Sequence, residues 1–170
     1  GIGTYALQDN TTGAHSIAIG YGALGDQTTG GYNIGIGYDA LRVSTTGLDN
    51  TIIGFQAADA LTSGNNNVSL GNNTLGACTT GLYNTALGRK SLFNSTTGSY
   101  NTSVGTFAGT NVTTGQNNIF LGVHAGYYST TVTTGSHNVH IGNYTIASSN
   151  NAQYETIIGY NVTGQGNTTF

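Results

Sequence analysis

The sequence predicts an all-β fold: a parallel β-solenoid, or β-roll, of about ten 17-residue coils. Three observations predict it. A glycine recurs at Gly3, Gly20, Gly37, Gly54, Gly71, Gly88, Gly105, Gly122, Gly142 and Gly159, every step being 17 residues except one of 20. Ahead of each glycine, β-branched and aliphatic residues alternate with the period of a strand. Between the strands a Thr-Thr-Gly turn returns, and the chain contains no proline to interrupt a ladder.

The strand comes first in each coil. One residue before the glycine stand Ile2, Ile19, Ile36, Ile53, Leu70, Leu87, Val104, Leu121, Ile141 and Ile158. Three before it stand Ile17, Ile34, Thr51, Val68, Thr85, Thr102, Ile119, Val139 and Thr156. Residues two apart share a face, and these larger apolar rows are expected to point into the coil. The row between them, Ala18, Gly35, Ile52, Ser69, Ala86, Ser103, Phe120, His140 and Ile157, is then expected to face outwards. It carries no Asp, Glu, Lys or Arg, so it reads as an interface between copies of the chain, with Ala18, Ile52, Ala86, Phe120, His140 and Ile157 as the contacts.

Four residues before the glycine, Asn33, Asn50, Asn67, Asn84, Asn101, Asn118 and Asn138 form a row that ends in Ser16 and Glu155. Coils stacked ~4.8 Å apart would let these amides bond to each other along the axis. After the glycine a second apolar pair follows, as in Ala23-Leu24 and Ala40-Leu41, expected as a second short strand or bend. The glycine of each Thr-Thr-Gly, such as Gly81 or Gly98, is expected at a backbone position with φ > 0. The long step adds three residues around 127–132, expected to bulge without disturbing the core. Residues 1–149 read as regular repeats, and 150–170 as atypical terminal coils leading towards a further domain. Because Gly1 falls in mid-motif, the chain reads as a window on a longer protein.

Composition narrows the partners. Charged residues make up 5% of the chain, and the only strong bases are Arg42, Arg89 and Lys90 in a net charge of −3. Nucleic-acid binding needs a basic footprint that is missing here. No apolar run approaches a membrane span, so neither nucleic acid nor membrane insertion is expected. The 11 tyrosines and the aliphatic rows argue against disorder. Cys78, the single cysteine, reads as a surface or half-buried small residue.

Catalytic groups do not converge, and no cofactor is expected. Asp9 and Asp26 occupy equivalent places in successive coils, but repeated solvated loop positions explain them. His137 and His140 point to opposite strand faces, so they chelate poorly within one chain. His140 is the one candidate metal ligand, if copies meet at an oligomer axis. Tyr127 and Tyr128 are the candidate glycan contacts, in the most individual stretch of the chain. Sequons begin at Asn10, Asn67, Asn72, Asn94, Asn101, Asn111, Asn143, Asn161 and Asn167, many of them expected by chance in so Asn- and Thr-rich a chain.

Ser16-Ile17-Ala18-Ile19-Gly20 resembles the S-V-A-I-G core of the head repeats of YadA-like trimeric autotransporter adhesins. The stretch from Asn84-Thr85-Ala86-Leu87-Gly88 through Asn94-Ser95-Thr96-Thr97-Gly98 to Asn101-Thr102 is similar to repeats in phage tail fibres and large bacterial surface proteins. The resemblance spans essentially the whole chain. It implies a left-handed β-roll, three chains side by side, exposed on a virion or cell surface and used for attachment. The coils are longer than in the adhesin heads, and the Thr-Thr-Gly turn fits the fibre repeats better.

The expected function is therefore a non-enzymatic, extracellular segment of a viral or phage tail fibre or an adhesin, a homotrimeric rod presenting a surface to a glycan or receptor. The rival readings are an ice-binding β-solenoid resting on the Thr rows, a polysaccharide-degrading tailspike, and a free or glycosylated filament.

Overall fold

A computed structural model of the chain describes residues 1–127 and 133–166. All described regular structure is β: β1 (Ile17–Ile19), β2 (Ile34–Ile36), β3 (Thr51–Ile53), β4 (Val68–Leu70), β5 (Thr85–Leu87), β6 (Thr102–Val104), β7 (Ile119–Leu121), β8 (Val139–Ile141) and β9 (Thr156–Ile158). They form one nine-stranded sheet in sequence order, every neighbouring pair parallel. Each strand pairs with its equivalent in the next coil, as Ala86 does with Ser103. The result is a β-solenoid of about eight turns.

The register survives the long step. Phe120 pairs with His140 across 20 residues, and the isolated bridge Val112↔Thr133 holds the preceding turn. The extra length falls within 128–132, so the expected bulge lies outside the described residues. Register continues through β9, where Ala152 takes the place of the turn glycine and its carbonyl accepts the Asn138 Nδ2 at 2.8 Å.

The strands turn the opposite way from the sequence expectation. In every strand the middle residue is buried and its two neighbours are half-buried or exposed. Ala86 is 0% exposed, whereas Ile17 and Leu70 are 50% and 52% exposed. Space is the cause. The coil is narrow, and the far wall already supplies Leu24, Leu41, Leu75 and Leu92, all fully buried. A Cβ added to Gly35 would stand 3.0 Å from Leu24 Cγ, so only a small residue fits opposite a leucine. Where the strand residue is large, the far wall shrinks. The Phe120 ring occupies the space that side chains at Gly109 and Gly126 would need.

Of the two forms expected for the far wall, a second short strand or a bend, the chain takes the bend: it is a turn. Gly25 N donates to Gly22 O at 3.0 Å and Gln27 N to Leu24 O at 3.2 Å, closing successive turns. Alternate amides still reach the next coil, as Leu24 N does to Ala40 O at 3.0 Å. Leu24, Leu41, Leu75 and Leu92 adopt left-handed backbone with φ between 50° and 56°. That conformation costs an L-residue ~1–2 kcal/mol. Full burial of a leucine returns ~1.5–3 kcal/mol, enough to hold it there.

The Thr-Thr-Gly glycines also differ from expectation. Gly81 and Gly98 are not among the residues with positive φ. Close approach demands them instead: a Cβ on Gly98 would lie 2.7 Å from Gly115 O and 2.8 Å from Ser95 Oγ. Positive φ belongs to the strand-closing glycines, as at Gly88 with φ 116°.

Candidate functional site: the strand face and its borders

The Asn row is a structural core. Asn50 Nδ2 donates to Asn33 Oδ1 at 3.1 Å and to Gly64 O at 2.8 Å, while Asn50 N donates to the same Asn33 Oδ1 at 3.0 Å. Asn67, Asn84, Asn101 and Asn118 repeat the set, and Asn138 continues it across the long step. Each amide thus ties a strand to the following Thr-Thr-Gly turn, and these side chains are buried rather than displayed. Glu155, 2% exposed, ends the row: its backbone N–H donates to Asn138 Oδ1, and its carboxylate accepts from Ser148 N and Gly166 N. Asn67 and Asn101 lie in two of the sequons, and their burial takes those sites away from any modifying enzyme acting on the folded chain. The sequon at Asn167 lies outside the described residues.

The interface row proposed from sequence is inside the coil. Ala18, Ile52, Ala86, Phe120, His140 and Ile157 are all buried, because the narrow core takes the middle residue of each strand. His140 therefore faces no oligomer axis. Its ring stacks on Phe120 with centroids 5.3 Å apart, and burial lowers its pKa to about 4, the nearby Glu155 opposing that only in part. Among the described residues no cluster of three His, Cys, Asp or Glu is placed to hold a metal. Cys78 is likewise core, not surface, and burial raises its thiol to about 11.

What faces outwards is more apolar than the row first assigned to that side. Ile17 and Ile19, Ile34 and Ile36, Val68 and Leu70, Ile119 and Leu121, and Val139 and Ile141 flank the buried residue of their strands, and Ile53, Leu87, Val104 and Ile158 continue the second row on the other four. Thr51, Thr85, Thr102 and Thr156 complete the rows, and no charged residue occurs in either. The fractional exposures place on the order of 1,000 Å² of side chain on this face, against ~300–600 Å² for the largest patch on a typical monomer. Sequence periodicity could not have decided between the two faces. The volume relation between Phe120 and the flanking Gly109 and Gly126 was the available signal, since a strand residue that outgrows its far wall must share the interior with it.

Aromatic columns border this face. Tyr21, Tyr38 and Phe55 stack at 5.1 and 5.3 Å on the side that follows the strands. On the side that precedes them, His15 stacks on Tyr32, Tyr83 on Tyr100 and His137 on Tyr154. Rings stacked along the axis cover each other's faces and show edges to solvent. Tyr127, 40% exposed, makes a T-shaped contact with His124, ring centroids 5.4 Å apart; Tyr128 lies outside the described residues. The first threonines of the turns, from Thr11 to Thr113, are engaged within the chain, with Thr28 Oγ1 donating to Thr45 O at 3.1 Å and Thr96 Oγ1 to Thr113 O at 3.2 Å.

Comparison with known protein families, with curated proteins and with solved structures returned no match.

Proposed function

We propose that the chain is a non-enzymatic segment of an extracellular fibre, in which copies pack side by side through the strand face into a trimeric rod. The observation that carries this is a pair of uncharged rows, one wholly aliphatic and one of aliphatic residues and threonine, on one side of a nine-stranded sheet. A standard interface takes ~800 Å² from each partner, and the strand face offers about that much. The bordering tyrosines suit the rim of such a contact, apolar in body and polar at the tip. Burying the rows would also add a shared core to coils whose own core is thin.

Stiffness fits the same role. Backbone ladders run through strands and turns alike, the Asn row runs inside them, and few charges repel along the axis. Trimer rather than dimer rests on the resemblance of the repeats to adhesin heads and fibre shafts. In this reading the rod's free flank is presented to a host glycan or receptor.

Antibody raised against residues 1–166 and imaged by electron microscopy on the intact parent particle or cell tests the placement. Label along projecting rods is the expected result; label confined to the interior of permeabilised particles or cells contradicts it.

A further inference from the structure

One coil lacks the side chains that its neighbours carry on the flank. Two residues after the strand glycine, successive coils present Tyr5, Gly22, Asp39, Gln56, Asn73 and Lys90. Five residues after it they present Gln8, Gly25, Arg42, Asp59, Gly76 and Phe93. Both positions are glycine only in the coil of Gly22 and Gly25. Gly76 is covered, since a Cβ there would stand 2.7 Å from the Phe93 ring; the Gly25 position meets only backbone, with Gly22 O at 3.1 Å and Tyr5 O at 3.4 Å. The missing layer leaves a cavity of about 520 Å³ between Tyr5 and Gln8 on one wall and Asp39 and Arg42 on the other.

One wall holds an unsatisfied acceptor. Asp39 Oδ1 is out of contact with solvent and accepts no hydrogen bond, and it lies where a Gly22 side chain would be. Arg42 reaches Asp26 only at 4.0 Å, with both side chains nearly half exposed. Asp59, beside them, is raised above its usual pKa, first by burial and then by the charge of Asp39. Tyr5 meets Tyr21 edge to face at 5.2 Å and has no ring stacked flat on it, unlike Tyr21 and Tyr38 further along.

We propose that this notch binds a neutral saccharide of one or two rings. Its volume lies in the range of small-ligand sites. Asp26, Asp39 and Asp59 line the notch with carboxylates that accept from sugar hydroxyls, and Arg42, Gln8 and Gln56 donate to them, so a group that does both fits the mixed walls. A simple cation would satisfy Asp39 but would face Arg42. The unstacked Tyr5 supplies an apolar surface for a ring. The proposal deepens the attachment role and rests on that reading for its biological meaning only.

Saturation-transfer NMR and calorimetric titration of the full chain with maltose, lactose, cellobiose and chitobiose, and with spermidine as cationic probe, test it. At least one disaccharide binds, with transfer from Tyr5 or Tyr21. Gly22→Asn, a residue that the equivalent Asn73 shows to be compatible with left-handed backbone (φ 53°), pushes the Asp39 carboxylate from its place over Gly22 into the notch, and it abolishes binding. Asp39→Asn, which keeps the side-chain shape and removes the charge, weakens binding roughly tenfold. Failure of all four disaccharides, binding of spermidine in their place, or saccharide affinity unaltered in both variants overturns the proposal. Light scattering on the same samples reads assembly separately, so a chain that assembles but binds no sugar disproves the notch and leaves the fibre standing.

Discussion

Phe120 and Gly126 share one space. The ring of Phe120 lies where a side chain at position 126 would project, and it fills the position of Gly109 from the other side. Neighbouring coils divide the same volume differently, with Ala86 on the strand and Leu92 on the far wall, both fully buried. The interior is thus conserved in volume along the axis while its source changes from wall to wall.

That relation predicts a compensating pair. Phe120→Ala alone opens a cavity and costs about 3–5 kcal/mol. Gly126→Leu alone overpacks against the ring and costs about 1–3 kcal/mol or more. The double variant recreates the Ala86–Leu92 arrangement, with residue 126 already in the left-handed region that Leu92 occupies. Denaturant unfolding of all four proteins is expected to show the double variant more stable than Phe120→Ala; strict additivity contradicts the volume account.

The Asn row predicts an order of severity. Asn84 uses both Nδ2 hydrogens and its Oδ1, with Gly98 O, Asn67 Oδ1 and the Asn101 backbone as partners. Asn84→Ala leaves these partners unpaired and costs about 1–3 kcal/mol. Asn84→Asp sets a buried charge against two acceptors and costs more, about 3–5 kcal/mol at neutral pH. Equal thermal stability of the two variants would show that the amide hydrogens do little.

His140 predicts acid sensitivity with a definite sign. Its folded pKa, about 4, lies below the unfolded 6.5, so below pH 6.5 the unfolded chain binds a proton that the folded chain refuses. The stability due to neutral His140 is complete above 6.5 and is lost as pH falls towards 4, on the order of 3 kcal/mol in all. His140→Phe, which continues the Phe120 row, is expected to flatten the Tm profile between those pH values. An unchanged profile would place the ring in water.

Cys78 is expected to be inert in the folded protein. It is fully buried and its thiol is raised to about 11, so both access and thiolate fraction are withheld. Ellman's reagent is expected to react at the rate of unfolding and at full speed in denaturant. Immediate reaction under native conditions would contradict this burial.

The repeat, its parallel register and its turn positions were legible in the sequence because a spacing of 17 is a one-dimensional fact. Which strand face lies inside was not. Alternation marks two faces without naming them, and bulk suggested that Ile17 and Ile19 should be core. The narrow coil reverses this, since the leucines of the far wall, held in left-handed backbone, leave room only for Ala18 between them. The sequence leaves the far wall open between a short strand and a bend, and the local left-handed backbone decides for turns. The notch at Gly22 was invisible for a different reason. A glycine that is absent from the equivalent row of every other coil is informative only after the rows are stacked.

The strand face is the central claim, and one measurement reaches it directly. Multi-angle light scattering of the purified chain at micromolar concentration is expected to give the mass of three copies, and Leu87→Lys together with Val104→Lys, both outward on β5 and β6, is expected to give one. A wild-type chain that stays monomeric, or a trimer indifferent to lysines on that face, would contradict the account.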